Sequence, residues 1–200
     1  MKDKLRQTLD ANLARVESLV SSYESHPDAR GRGRKDTAVL DILRAAVVLL
    51  HASLEDLLRG IAEWKLPSAS KEVLDEIPIV GRDSATKKLT LGDFVVHRGK
   101  TVDTVFEESV ESYLQRSNYN NTDDIAKVLG SVDIDVSKVN SRFSDLQVMM
   151  LRRHQIVHRA DRKAKVSGSG DHAVSAINKH LVRSWATAVR EFGIAVLAEV

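Results

Sequence analysis

The chain contains no cysteine. Disulfide frameworks, thiolate zinc sites and cysteine nucleophiles are therefore excluded. Proline and glycine are sparse, at three and ten residues, and aromatics make up only 4%. A sandwich or barrel needs turn residues every few positions and aromatic or β-branched strands between them, so this composition argues for helices. Neither sign of charge dominates. Thirty basic residues face 28 acidic ones, a net charge of +2, which excludes a polycationic tail protein while leaving room for local clusters. Long hydrophobic runs are also missing. The longest purely apolar stretch is Ala45–Leu50, closed by Arg44 and His51, far short of the roughly 18 apolar residues of a membrane span. The N-terminal MKDKLRQTLDANLARV is too polar for a secretion signal. The expected location is the cytoplasm, with no membrane partner. Asn120-Asn121-Thr122 fits a glycosylation sequon, which carries no weight without such a signal.

What the sequence does contain is helical periodicity. Two hundred residues with 42% hydrophobic content suffice for one domain with a core. Residues 2–24 read as a polar amphipathic helix carrying Leu5, Leu9, Leu13, Val16 and Leu19/Val20 on one side. The stretch His26–Asp36, with Pro, two Gly and Arg30, Arg32, Arg34 and Lys35, reads as a loop whose cations serve a soluble linker rather than the alternative, an RNA contact. Thr37–Leu66 is predicted as a long helix, with Leu43, Ala46, Val47, Leu50, Leu54, Leu57, Leu58 and Ile61 in one broad stripe. Pro67 stops it. Short helices are expected from Ser70 to Ile77, from Thr90 to His97 before Gly99, over Val102–Arg116, and over Thr122–Leu129 before Gly130. A long helix should run from Ser141 to about Lys165. After a flexible Lys165–Asp171, a last helix capped by Asp171 should reach Val200. The expected fold is all-α: a bundle of long helices with an insert of short ones, preceded by an N-terminal helix and basic linker over residues 1–36.

The segment Phe143–Lys165 carries the chemistry. Projected at 100° per residue, Phe143, Leu146, Met149, Met150, Ile156, Val157 and Ala160 fall in one arc, and Arg153 falls near its middle. A guanidinium cannot be neutralised, so one in phase with apolar residues must meet an acid, carbonyls or an anion. A structural salt bridge and a phosphate contact both satisfy this. His158 lies well off the arc, nearer to Val148 and Leu151, so the helix calls for cover on a second side. Between Arg152 and Lys165 six basic residues face one acid, Asp161. Arg162, Lys163 and Lys165 complement a helix C-terminus. Arg152 and Arg153 lie too far upstream for that, and the cluster fits a polyanion such as nucleic acid.

Alternative chemistries are weaker. His154 and His158 stand four apart, a metal-ligand spacing. A zinc protease would need Glu at 155 and the chain has Gln155. No metal or cofactor is expected. Arg98-Gly99-Lys100-Thr101 mimics the end of a phosphate-binding loop, but Phe94 stands where its first Gly belongs and no strand precedes it.

At Arg152–Asp161 (RRHQIVHRAD) the sequence resembles a HEPN domain, and most the RiboL-PSP type of that superfamily, whose motif is Arg, four to six residues, then His. Val47–Ile61 (VVLLHASLEDLLRGI) resembles the family's earlier long helix. The resemblance covers residues 37–200. It implies a dimerising helical bundle that places two motifs across a cleft, and a metal-independent endoribonuclease. In that chemistry the RNA 2′-OH attacks the adjacent phosphate, leaving 2′,3′-cyclic phosphate and 5′-OH ends. Carried over, His158 is the acid/base, which suits an imidazole titrating near neutrality. Arg153 is the phosphate clamp, which suits its planar donors. Arg152, His154 and Arg159 are supporting or RNA-binding candidates. Glu55, rather than Asp56, is the candidate to balance Arg153 or orient His158. The implied partners are RNA, a second copy of the chain, and an antitoxin or regulatory protein, with a toxin or defence role. The competing reading is a HEPN-like module that binds nucleic acid, nucleotide or protein without cutting.

Overall fold

A computed structural model of the chain describes residues 1–29, 36–81, 90–162 and 175–200. The basic loop residues Arg30, Arg32, Arg34 and Lys35, the cations Lys163 and Lys165, and the expected cap Asp171 lie outside them. The described residues are all-α, as the composition and periodicity predict. In order they form α1 (Lys2–Ser25), α2 (Thr37–Lys65), α3 (Lys71–Leu74), α4 (Val102–Leu114), α5 (Thr122–Ser131), α6 (Phe143–Arg159) and α7 (Lys179–Glu199), with short 3-10 turns between several of them.

The long helix α2 is the hub. Asp36 caps it by accepting the Ala38 N–H, and its stripe from Val39 to Ala62 is buried. By length and hydropathy alone α2 could cross a bilayer, although no purely apolar run in the sequence does. Here its apolar stripe is spent on the bundle, where α1, α6, α7 and α4 pack against it. Helix α1 presents Leu9, Leu13, Val16, Val20 and Tyr23 to that same core, so the expected boundary at residue 36 does not divide the core. The helices α1, α2 and α7 meet closely at Gly193. A Cβ there would stand 2.5 Å from Leu9 Cδ2 and 2.9 Å from Leu57 Cδ2, so only hydrogen fits without repacking. On the outside, Arg183 of α7 pairs with Glu17 and Glu24 of α1.

Several assignments differ from the sequence reading, beginning with α3, which ends at Leu74 rather than Ile77, and α4, which ends at Leu114 rather than Arg116. The segment Leu91–His97 is 3-10 rather than α, held by Asp93 accepting the Thr90 N–H at 2.8 Å. The α5 helix runs through Gly130 to Ser131. The α6 helix stops at Arg159, not near Lys165, because Ala160 and Asp161 both turn left-handed, at φ 47° and 60°. The last helix starts at Lys179 rather than at Asp171, and its cap is Asn178, whose side chain accepts the Leu181 N–H.

Candidate active site

The end of α6 is fixed by a buried carboxylate. Asp161 is fully buried and accepts from Arg44 Nε of α2 and from Arg152 Nη2 of α6, both at 2.7 Å and both on Oδ2. Arg44, 6% exposed, also reaches Asp41 at 2.9 Å. Arg152 donates further to the carbonyls of Ser175 and Ala176, at 3.0 and 3.1 Å. Ser175 N–H in turn donates to the Asp161 carbonyl at 3.0 Å. Gln155 joins in by donating to Ser175 Oγ at 2.8 Å. Two cations and one anion thus meet in low dielectric, where a partner's removal leaves charge uncompensated. Arg152, expected on the RNA side, is turned inward and committed to this clamp.

Arg153 is placed differently. Consecutive helical residues point 100° apart, so Arg153 leaves the clamp and faces α2 and the loop before α5. It is half-buried. Nη1 donates to Asn120 Oδ1 at 3.3 Å, and Nε is buried with no partner among the described residues. No acid forms an ion pair with it there. The structural salt bridge that would explain an in-phase Arg is therefore missing at 153 and present at 152.

Beside it lies His51, which the sequence reading passed over as the end of an apolar run. It is 1% exposed. Its Nε2 lies 3.1 Å from the Tyr119 carbonyl, and its Nδ1 lies 3.6 Å from Glu55 Oε2. A carbonyl only accepts, so Nε2 carries the hydrogen. Burial pushes the imidazole below its ordinary 6.5; Arg153 adds to the depression, and Glu55 and the Tyr119 carbonyl oppose it. Glu55, expected to serve Arg153 or His158, stands instead beside His51 Nδ1, where it forms an ion pair only when the ring is protonated. Asp56 points the other way and accepts from Asn12 of α1 at 3.1 Å.

His158 and His154 stand on the exposed face of α6, their rings 4.5 Å apart at 42°. Among the described residues no group of three or more His, Asp or Glu is arranged to hold a metal ion. Arg159 is exposed as well. Neither His158 nor Arg159 has a side-chain hydrogen bond or ion pair among the described residues. The same face carries the exposed apolar residues Val148 and Leu151, 53% and 59% accessible. Within one chain the structure does not bring Arg153 and His158 together: one meets Asn120, the other stacks near His154. That is the 140° separation expected of residues five apart.

A family model described as RiboL-PSP-HEPN matches residues 11–195. The match includes most of α1, which the sequence resemblance left out. Comparison with curated proteins and with solved structures gives no match.

Two outcomes test this geometry. Asp161→Ala should lower stability by about 3–5 kcal/mol, because it strands two guanidiniums; urea unfolding measures it, and a loss below about 1 kcal/mol contradicts the clamp. His51 has a lower pKa folded than unfolded, so its contribution is present above pH 6.5 and is lost as pH falls below that value. His51→Gln should therefore show a shallower loss of stability on acidification than the parent, read from melting curves across the range.

Proposed function

Because this chain belongs to the RiboL-PSP-HEPN family, we propose that it is a metal-independent endoribonuclease acting through Arg153 and His158. HEPN domains are nucleases or nucleic-acid-related modules, and the observation that favours cutting is the state of Arg153. A half-buried guanidinium on the motif helix keeps most of its N–H groups unpartnered among the described residues. That arrangement awaits an anion, and a phosphate supplies oxygens that match its planar donors.

In the proposed reaction the RNA strand lays one phosphate against Arg153 near Asn120. The adjacent 2′-OH attacks phosphorus, its proton passing to a base. The bond to the 5′-oxygen breaks, and that oxygen takes a proton. His158 performs the proton transfers, with His154 beside it able to orient the phosphate or share the proton. Arg153 stabilises the charge that gathers on the non-bridging oxygens. Exposed Arg159 contacts the backbone, and Arg152 acts as a positioning residue through Asp161. His51, backed by Glu55, sets the floor behind Arg153.

The two motif residues diverge within one chain, so the reading calls for a second copy. The exposed strip of Val148 and Leu151 runs along the face that carries His154 and His158, and a second copy of the chain is the proposed cover for it. An antitoxin or regulatory protein is a further proposed partner, and a toxin or defence role fits the chemistry.

Incubation of labelled RNA in EDTA tests the assignment. The parent should cut, leaving 2′,3′-cyclic phosphate ends. His158→Ala and Arg153→Ala should each lower turnover by about 100-fold or more, the scale of lost proton transfer and lost charge stabilisation. Arg159→Ala should weaken binding and reduce the salt slope by about one, while Arg152→Ala should mainly lower stability. Tight binding with intact RNA would favour the non-cutting module.

A further inference from the structure

The loop Asn118–Asn121 separates two features. On one side the Tyr119 carbonyl faces His51 and the Asn120 side chain meets Arg153. On the other, Asn118 and Tyr119 form part of the wall of a cavity of about 680 Å³ between α3, α4 and α5. This is the size of a small-molecule pocket, and none of the motif residues lines it.

The lining is chemically mixed. Val73, Leu114 and Val128 make it apolar, and Tyr113 and Tyr119 add aromatic surface. Burial pushes the Tyr119 phenol up to about 12, which keeps it protonated, and its hydroxyl has no partner among the described residues. At the rim stand Glu72 and Glu76, both exposed and without an ion pair among the described residues, with Asp124 and a lone Lys127. Asp124 already accepts from the Asn120 N–H and the Asn121 side chain, so two unpaired carboxylates, Glu72 and Glu76, face the ammonium and disfavour a phosphate. They attract a ligand that presents N–H groups, while the apolar and aromatic walls favour a flat ring. A nucleobase with an exocyclic amino group meets both demands.

We infer that this cavity is a nucleobase pocket, taking an amino-bearing base of the RNA strand whose phosphate rests on Arg153 across the Asn118–Asn121 wall. The placement of the phosphate rests on the proposed nuclease reading. Base binding itself does not depend on cleavage. The sugar–phosphate chain stays on the cationic side, the base crosses the loop, and its amino edge meets the rim carboxylates. The pocket then selects which base lies next to the cut.

Titrating the full isotope-labelled chain with free nucleosides, followed by amide NMR, separates the two claims. Adenosine and cytidine should shift resonances around Tyr113, Tyr119 and Val128. Inosine and uridine, which carry oxygen where those carry the amino group, should bind about tenfold more weakly or worse, the scale of one hydrogen bond to a charged group. Val128→Trp should fill the cavity and abolish the shifts. Glu72→Gln with Glu76→Gln, two exposed changes that leave the core intact, should lower adenosine affinity about tenfold. Absence of shifts around the cavity, or equal binding of adenosine and inosine, overturns the pocket. Nucleoside binding by a protein that never cuts RNA keeps the pocket and defeats the nuclease. Cleavage without nucleoside binding does the reverse.

Discussion

Asp161 determines where the motif helix ends. Its carboxylate is buried between Arg44 of α2 and Arg152 of α6, and it follows Ala160 as the second of two left-handed residues that break the helix after Arg159. Through Arg152, Gln155 and the Asp161 carbonyl, Ser175 is drawn to the same point. One acid therefore ties the hub helix, the motif helix and the approach to α7. Desolvating three charges costs much of what their attraction returns. The clamp is better understood as a device for position than as a large source of stability. It holds the last turn of α6, and with it His158 and Arg159, against a rigid partner.

The neighbouring arginines divide two tasks. Arg152 is spent on Asp161, and Arg153, one residue and 100° further round, is left under-coordinated beside a buried imidazole. An unspent guanidinium at the rim of a core is costly unless something binds it. The hub helix backs both: Arg44 behind the clamp, and His51 with Glu55 beside Arg153. The RiboL-PSP-HEPN family match over residues 11–195 covers most of α1 and the hub as well as the motif. This agrees with a core in which α1 is not an appendage.

Much of this was legible in the sequence, and the rest was hidden for physical reasons. The apolar stripes of α1 and α2 are strong periodic signals, and they specified the all-α bundle; the arc of α6 is buried at Leu146, Met149 and Met150, whereas Val157 and Ala160, expected in it, are exposed. The phase argument that singled out Arg153 also applied to Arg44 and His51. Arg44 lies one turn before Val47, and His51 lies one turn after it and one before Leu54, so the same test on α2 would have found them. Charge counting misled at Arg152, because a cluster of cations looks alike whether it faces solvent or a buried acid. The left-handed pair Ala160–Asp161 had no glycine to announce it, so the helix seemed to continue to Lys165. The role of Asn120 arises from a contact 33 residues away in sequence, and no local pattern encodes that.

On the proposed reading Arg153 and His158, divergent within one chain, form a working site only across two. Mixing Arg153→Ala protein with His158→Ala protein under conditions that exchange subunits distinguishes the two arrangements. In a composite site, one of the two clefts in each mixed dimer regains an intact Arg153 from one chain and an intact His158 from the other. RNA cleavage should therefore return from two inactive preparations. If subunit exchange is verified and the mixture stays as inactive as its components, the pair acts within a single chain and the account is contradicted.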